Sequence, residues 1–136
     1  LLFNPKREKG FLLTIGGHES MELVEMARKR SDIFFKNIQK YFEEHVKKEG
    51  ADSLRLKEKN FVENNMSFVL SNLTESLIEA KKSLNNKEDE SELVSYTRKI
   101  TAIENSINLV LTQDFDNYVY WIESIKNKIG VWPSLV

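Results

Sequence analysis

The chain has 136 residues, of which 40% are hydrophobic and 30% are charged, and its formal net charge is −1. This length suits a single domain, and the near-neutral charge argues against a strongly basic nucleic-acid-binding protein. Because there is no cysteine, disulfides and thiolate-bound zinc or iron–sulfur centres are excluded within these residues. No apolar run approaches the roughly 18 residues that a membrane span requires. The absence of cysteine fits a reducing compartment, and we expect one cytoplasmic domain over residues 1–136.

The N-terminal third is expected to be irregular at first and then helical. In the opening stretch LLFNPKREKG the basic residues follow the apolar ones, which is not the order of a signal peptide. Glycines flank the short apolar run Phe11–Ile15, which can be a brief strand or a helical turn. Apolar residues then recur every three or four positions and predict a long helix from about Ser20, as its N-cap, to Lys48, before Gly50.

Two further helices are predicted in the middle of the chain. The second runs from about Phe61 to Leu84 and the third from about Ser91 to Leu111, with the break at Asn85-Asn86. Their apolar residues follow a nearly heptad spacing, which is typical of an antiparallel helical hairpin. Isolated polar helices of this kind are not stable in water. We therefore predict a mainly α fold, a bundle of three or more long helices.

The C-terminal stretch predicts a short β-hairpin instead. Tyr118–Glu123 and Ile129–Trp132 are rich in β-branched and aromatic residues, Ser124–Lys128 forms the turn, and Pro133 ends the second strand. Two strands alone are marginal in water, so the helices, the Phe11–Ile15 run or a sheet elsewhere must cover them.

Alternation along the first strand separates its aromatic residues. Tyr118 and Tyr120 share one face and Trp121 lies on the other. One face can be buried while the other packs on a neighbouring domain or stacks on a base. Packing is the more common use of such residues.

Motifs for catalysis and cofactor binding are absent from the sequence. There is no G-x-x-x-x-G-K-[ST], G-x-G-x-x-G, G-x-S-x-G or H-E-x-x-H. His18 and His45 each lack the further ligands that a metal requires, and the acidic run Glu88–Glu92 suits the first turn of a helix. We predict no catalytic, cofactor or metal site in this chain.

The net charge conceals a skew along the chain. Residues 1–60 contain 13 Lys or Arg against 10 Asp or Glu, whereas residues 61–136 contain 7 against 11. Basic clusters can contact phosphates, although most such runs are only solvated. The candidates for contact with nucleic acid, through phosphates or by stacking, are Lys6, Arg7, Lys9, Arg28, Lys29, Arg30, Arg55, Lys57, Lys59, Tyr118 and Tyr120.

Three stretches together resemble the DinG-type helicases, the bacterial relatives of the XPD helicases. LLFNPKREKGFL resembles the stretch that follows their DEAH-type motif, and ESELVSYTRKITAIENSINLVL resembles a late helix of the family. DNYVYWIES resembles the strand that precedes an alanine-proline turn. Here Pro133 matches that proline, but Trp132 stands where the family has a small residue.

The resemblance implies a helical, Arch-like insertion in the first motor domain of a superfamily-two, ATP-dependent DNA helicase with a role in DNA repair. Such an insertion guides or clamps single-stranded DNA without catalysis. ATP and Mg²⁺ would bind elsewhere in the parent chain, and any iron–sulfur cluster would also lie outside these residues. The implied partners are single-stranded DNA and the motor domains, with no membrane, and the fragment is expected to be monomeric.

A different class of function stays open beside this one. The heptad seams can also belong to a helical adaptor that self-associates or binds a partner helix. A stand-alone enzyme is a distant third, because the sequence has no nucleophile with a base.

Overall fold

The computed structural model describes residues 7–47, 50–125 and 128–135. Three helices and three strands follow in the order α1 (Arg7–His45), β1 (Ser53–Leu56), α2 (Ser67–Lys81), α3 (Lys87–Thr112), β2 (Tyr118–Ile125) and β3 (Lys128–Leu135). The fold is mainly α, and its long helices are followed by an antiparallel strand pair. The predicted fold class is confirmed.

The chain divides into two compact units, and each draws on two separate stretches of sequence. Unit 1 comprises the described residues of Leu1–Arg30 and Met66–Asn105. Unit 2 comprises those of Ser31–Asn65 and Ser106–Val136. Helices α1 and α3 therefore contribute a segment to both units.

Helix α1 is interrupted at Gly17. This residue has φ 66° and ψ −163°, a conformation that only glycine adopts at little cost. The Phe11–Ile15 run lies in the helical backbone before this break, so the helical alternative is correct. The prediction that Ser20 is an N-cap is wrong. Ser20 lies inside the helix, is fully buried, and has its Oγ 2.8 Å from the Oγ of Ser76.

Helices α2 and α3 form the predicted antiparallel hairpin in unit 1. Ser71 donates to Glu104 Oε1 at 2.8 Å, and one end of the pair is marked by Lys81 Nζ, 3.7 Å from Glu90 Oε1. These contacts join early residues of one helix to late residues of the other. The buried hydrophobic residues of unit 1 are Met21, Val24, Ala27, Met66, Val69, Leu70, Leu73, Leu77, Leu93, Tyr96 and Ile100.

Helix α2 begins at Ser67, six residues later than the predicted start at Phe61. The reason lies in unit 2, where Asn60 has a positive φ of 52° and its N–H donates to the Leu111 carbonyl at 2.7 Å. Phe61 and Val62 are buried in a non-helical connection. The apolar residues of this connection continue the spacing of the helix, so the sequence pattern wrongly predicted a helical turn here.

Unit 2 contains an antiparallel sheet in the order β1-β2-β3. The hairpin of β2 and β3 confirms the prediction, but strand β1 was not predicted. The prediction that Pro133 ends the last strand is also wrong, since β3 continues to Leu135 and Pro133 is paired with Tyr120. An edge strand tolerates proline because its nitrogen can face away from the neighbouring strand. The buried hydrophobic residues of unit 2 are Phe34, Ile38, Phe42, Leu56, Phe61, Val62, Val110, Leu111, Tyr120 and Ile122.

Candidate nucleic-acid interface

The sheet of unit 2 has one buried face and one open face. Leu56 of β1 is paired with Tyr120 of β2, and these side chains are 3% and 2% exposed. Ile122, two residues further along β2, is fully buried. Because side chains alternate along a strand, Arg55 and Trp121 lie on the opposite face. They are paired in register, with Arg55 exposed and Trp121 half-buried.

The open face of the sheet, defined here by Arg55, Trp121 and Glu123, combines a cation with an aromatic ring. Directly opposite residues in an antiparallel pair have their Cβ atoms about 4.5–5.5 Å apart. Arg55 and Trp121 are thus neighbours across the strands. Glu123, paired with Ser53, supplies one carboxylate to the same face.

The basic segment Arg55–Lys59 leads from β1 into the connection before α2. Arg55, Lys57 and Lys59 are all exposed. Within the part of the chain that the structure describes, none of these three side chains makes an ion pair. Because all three side chains are exposed, an external anion can reach their charges.

Helix α3 and Gln113, the residue after it, hydrogen-bond to the end of the basic segment and to the connection that follows it. Besides the bond from Asn60 to Leu111, the Gln113 side chain donates to the Glu58 carbonyl at 3.0 Å, and Asn64 donates to Asn108 Oδ1 at 3.0 Å. Gln113 itself has φ 50° and its N–H donates to the Leu109 carbonyl, which is the αL arrangement that closes a helix. A fixed backbone lowers the entropy lost when a ligand binds.

Glu58, the carboxylate within the basic segment, accepts a hydrogen bond from an aromatic residue near the end of α1. Tyr41 donates its hydroxyl to Glu58 Oε2 at 3.1 Å. The Tyr41 ring stacks on His45 with centroids 3.9 Å apart and lies 5.0 Å from the Phe61 ring. Burial and, next, the hydrogen bond and charge of Glu58 raise the pKa of Tyr41. Glu58 is thus held at Tyr41, while the flanking lysines remain exposed.

The other basic candidates do not belong to unit 2 as the structure describes it. Lys6 lies outside the described residues. Arg7 and Lys9 lie on the helical backbone of α1 in unit 1. Arg28, Lys29 and Arg30 also belong to unit 1, where the first two are exposed and the third is half-buried.

The aromatic candidates change with the structure. Tyr118 is half-buried at the start of β2, but Tyr120 is buried and its ring cannot stack on a base. Tyr120 therefore leaves the set of candidates, and Trp121 takes its place. Alternation of side chains along β2 places Tyr120 and Trp121 on opposite faces of the sheet. Only the burial of Leu56 and Ile122 shows which of these faces is covered.

Neither a metal site nor a membrane-spanning helix is found among the described residues. Among those residues there is no group of three or more His, Cys, Asp or Glu side chains placed to hold a metal ion. The helices of the described segments are not long and apolar enough to cross a membrane. No protein-family model, curated protein or solved structure matches the chain.

Proposed function

We propose that the open face of the sheet binds single-stranded DNA and that the chain performs no chemistry of its own. The pairing of Arg55 with Trp121 carries this proposal. An indole provides a flat surface on which a base stacks, and a neighbouring guanidinium can contact a phosphate or the base plane. The exposed Lys57 and Lys59 extend the positive charge along the path that a phosphate backbone would take.

A single strand fits this face better than a duplex. Bases in a duplex are already stacked on one another and present only their edges in the grooves. Unpaired bases have free faces and bind aromatic side chains whatever their sequence. We expect weak base preference and strong salt dependence.

The proposal includes a parent protein. The likeness of YVYWIES and the two longer stretches to DinG-type helicases supports an Arch-like helical insertion beside a helicase motor. In this role the chain guides or clamps the strand, while ATP and Mg²⁺ act in the motor. The motor domains and single-stranded DNA are the proposed partners.

Titration of the whole chain with a labelled oligothymidylate of about 15 nucleotides tests the DNA proposal. Affinity should fall steeply between about 50 mM and 200 mM salt, since each phosphate contact to a single strand contributes about 0.7 to the slope of log K against log salt. Arg55→Gln should lower this slope by about 0.7. Arg98→Gln, which removes another exposed arginine, is the matched control and should leave the slope unchanged.

A second variant tests whether a base stacks on Trp121. Trp121→Leu should weaken binding by about 5- to 150-fold, the range that corresponds to about 1–3 kcal/mol for one stacked base. Phe35→Leu, at an aromatic residue on α1 that is 42% exposed, should bind as the original chain does. Absence of binding at low salt, or equal losses in both variants, would contradict the proposal. Circular dichroism and urea unfolding show whether each variant is folded.

The adaptor alternative finds less support in the structure. Its heptad seams would have to be accessible, yet Leu73, Leu77, Leu93 and Ile100 are at most 1% exposed. Sedimentation at several concentrations should show a monomer. Association through the seams would show a mass that rises with concentration.

A further inference from the structure

Helices α1 and α2 enclose a groove in unit 1 that the DNA proposal does not use. Its volume is about 810 Å³. The lining residues are Glu19, Glu22, Leu23, Met26, Asn72, Glu75, Ser76, Glu79, Ala80 and Ser83. We call it the acidic groove, because carboxylates are its only charged lining groups among the described residues.

Carboxylates stand on both sides of the acidic groove. Glu19 and Glu22 belong to α1, and Glu75 and Glu79 belong to α2; all four are exposed. One of them has a basic neighbour, since Lys82 Nζ lies 2.9 Å from Glu79 Oε2, and both of these side chains are more than two-thirds exposed. Such an exposed pair contributes little and is easily replaced. The groove therefore attracts a ligand that carries several positive charges.

Apolar side chains lie between and beside these carboxylates. Leu23 and Met26 line the groove, and Met26 is 41% exposed. Phe68 precedes Asn72 by one helical turn, and residues 68, 72, 75 and 79 share one side of α2 because their spacings are four, three and four. Phe68 is 69% exposed, so it adds a large apolar side chain to the same side of α2 as Glu75 and Glu79. Exposed apolar groups with a charged rim are typical of a surface that binds another protein.

We propose that the acidic groove binds a basic amphipathic α-helix of a partner protein. Two helices side by side form a trough into which a third helix can pack, and helix-in-groove binding uses apolar anchors at helical spacing. Apolar side chains of the partner would contact Leu23, Met26 and Phe68. Its lysines or arginines would then face Glu19 and Glu22 on one side and Glu75 and Glu79 on the other.

The negative charge of the acidic groove favours a different ligand from the single-stranded DNA proposed for the open face of the sheet. Carboxylates repel phosphates, so the acidic groove does not suit DNA. A small polyamine would satisfy the carboxylates but leave Met26 and Phe68 exposed to water. Only a ligand that is both basic and apolar accounts for both features.

A synthetic helix tests this inference on the whole chain. The probe is a fluorescein-labelled peptide of about 18 residues with leucine on one face and lysine on the other, since that length gives about five helical turns. Anisotropy should show saturable binding, and a matched peptide with glutamate in place of lysine should not bind. Spermine, offered as a competitor, should displace the peptide only weakly.

Two sets of variants locate the binding. Replacing Glu19, Glu22, Glu75 and Glu79 by glutamine should weaken peptide binding at least about tenfold. The matched control makes the same change of charge at the exposed residues Glu43, Glu63, Asp114 and Asp116 and should change affinity less than about twofold. Met26→Ser and Phe68→Ser should each weaken binding several-fold, because they remove apolar anchors and leave every charge in place.

Three results would overturn the inference. Equal losses in the two charge variants would show general attraction to negative charge rather than a site. Unchanged affinity in Met26→Ser and Phe68→Ser would show that no apolar face is docked. Concentration-dependent dimerisation that Phe68→Ser abolishes would assign the groove to a second copy of this chain.

Discussion

At the scale of single residues, burial decides the roles of similar side chains. Tyr120 and Trp121 are adjacent aromatic residues, and the sequence shows only that they lie on opposite faces of a strand. Tyr120 is 2% exposed, whereas Trp121 is half-buried beside an exposed arginine. The basic cluster around Arg55 was predicted from the sequence, but its aromatic partner required knowledge of which face is packed.

The burial of Tyr120 predicts a loss of stability in alkali. Burial raises the pKa of this phenol above its ordinary value of 10.0, and the charge of Asp114 adds to the effect, while the Phe115 backbone opposes it. The unfolded chain therefore ionises first, so the stabilisation is complete below about pH 10 and is lost as pH rises through the folded pKa.

Tyr120→Phe tests this dependence. Its free energy of unfolding should decline less between about pH 9 and 11 than that of the original chain, by up to about 1.4 kcal/mol per pH unit. Tyr41, whose pKa is also raised, should preserve part of the decline. Urea unfolding at each pH measures the effect. Identical declines in the two proteins would show that Tyr120 does not contribute.

At the scale of elements, the sequence predicted the helices whose apolar residues recur at regular spacing, but it did not predict the short strand β1. The heptad seams located α2 and α3 because their buried residues follow the helical period. Strand β1 has only four residues, SLRL, within a charged stretch, and its pairing partner β2 lies more than 60 residues later. A short strand with a distant partner leaves no periodic signal, so β1 could not be predicted from its own sequence.

Adjacent glycines in α1 should respond in opposite ways to alanine. Gly17 has a positive φ, and a Cβ there would meet no atom within 4 Å, so the cost comes from the backbone alone. Gly17→Ala should reduce the free energy of unfolding by about 1–3 kcal/mol. Gly16→Ala, in helical backbone, should increase it by about 0.5–1 kcal/mol. Thermal unfolding of both variants checks the signs; stabilisation by both would mean that α1 has no break.

Strand β2 offers a matched pair for the packing of the sheet. Ile122 is fully buried and Ile125 is 52% exposed. Ile122→Ala should cost about 2–5 kcal/mol, whereas Ile125→Ala should change stability by less than about 0.5 kcal/mol. Urea unfolding measures both. Similar costs would show that the assignment of buried and open faces is wrong.

At the scale of the whole molecule, a nearly neutral chain contains two surfaces of opposite character. Unit 2 has the basic segment Arg55–Lys59 beside Trp121, and unit 1 has the acidic groove. Each unit combines an early and a late stretch of the sequence, so neither surface could be assembled from local patterns. The net charge of −1 averages over both surfaces and therefore shows neither of them.

The most direct test of the DNA proposal is the fluorescence of Trp121. The chain has two tryptophans, and Trp132→Phe makes Trp121 the only reporter. Addition of oligothymidylate at low salt should quench this emission along the same curve as the anisotropy of the labelled strand, because a stacked base contacts the indole. Binding that leaves the emission unchanged, or no binding at all, would contradict the proposal that the open face of the sheet receives the strand.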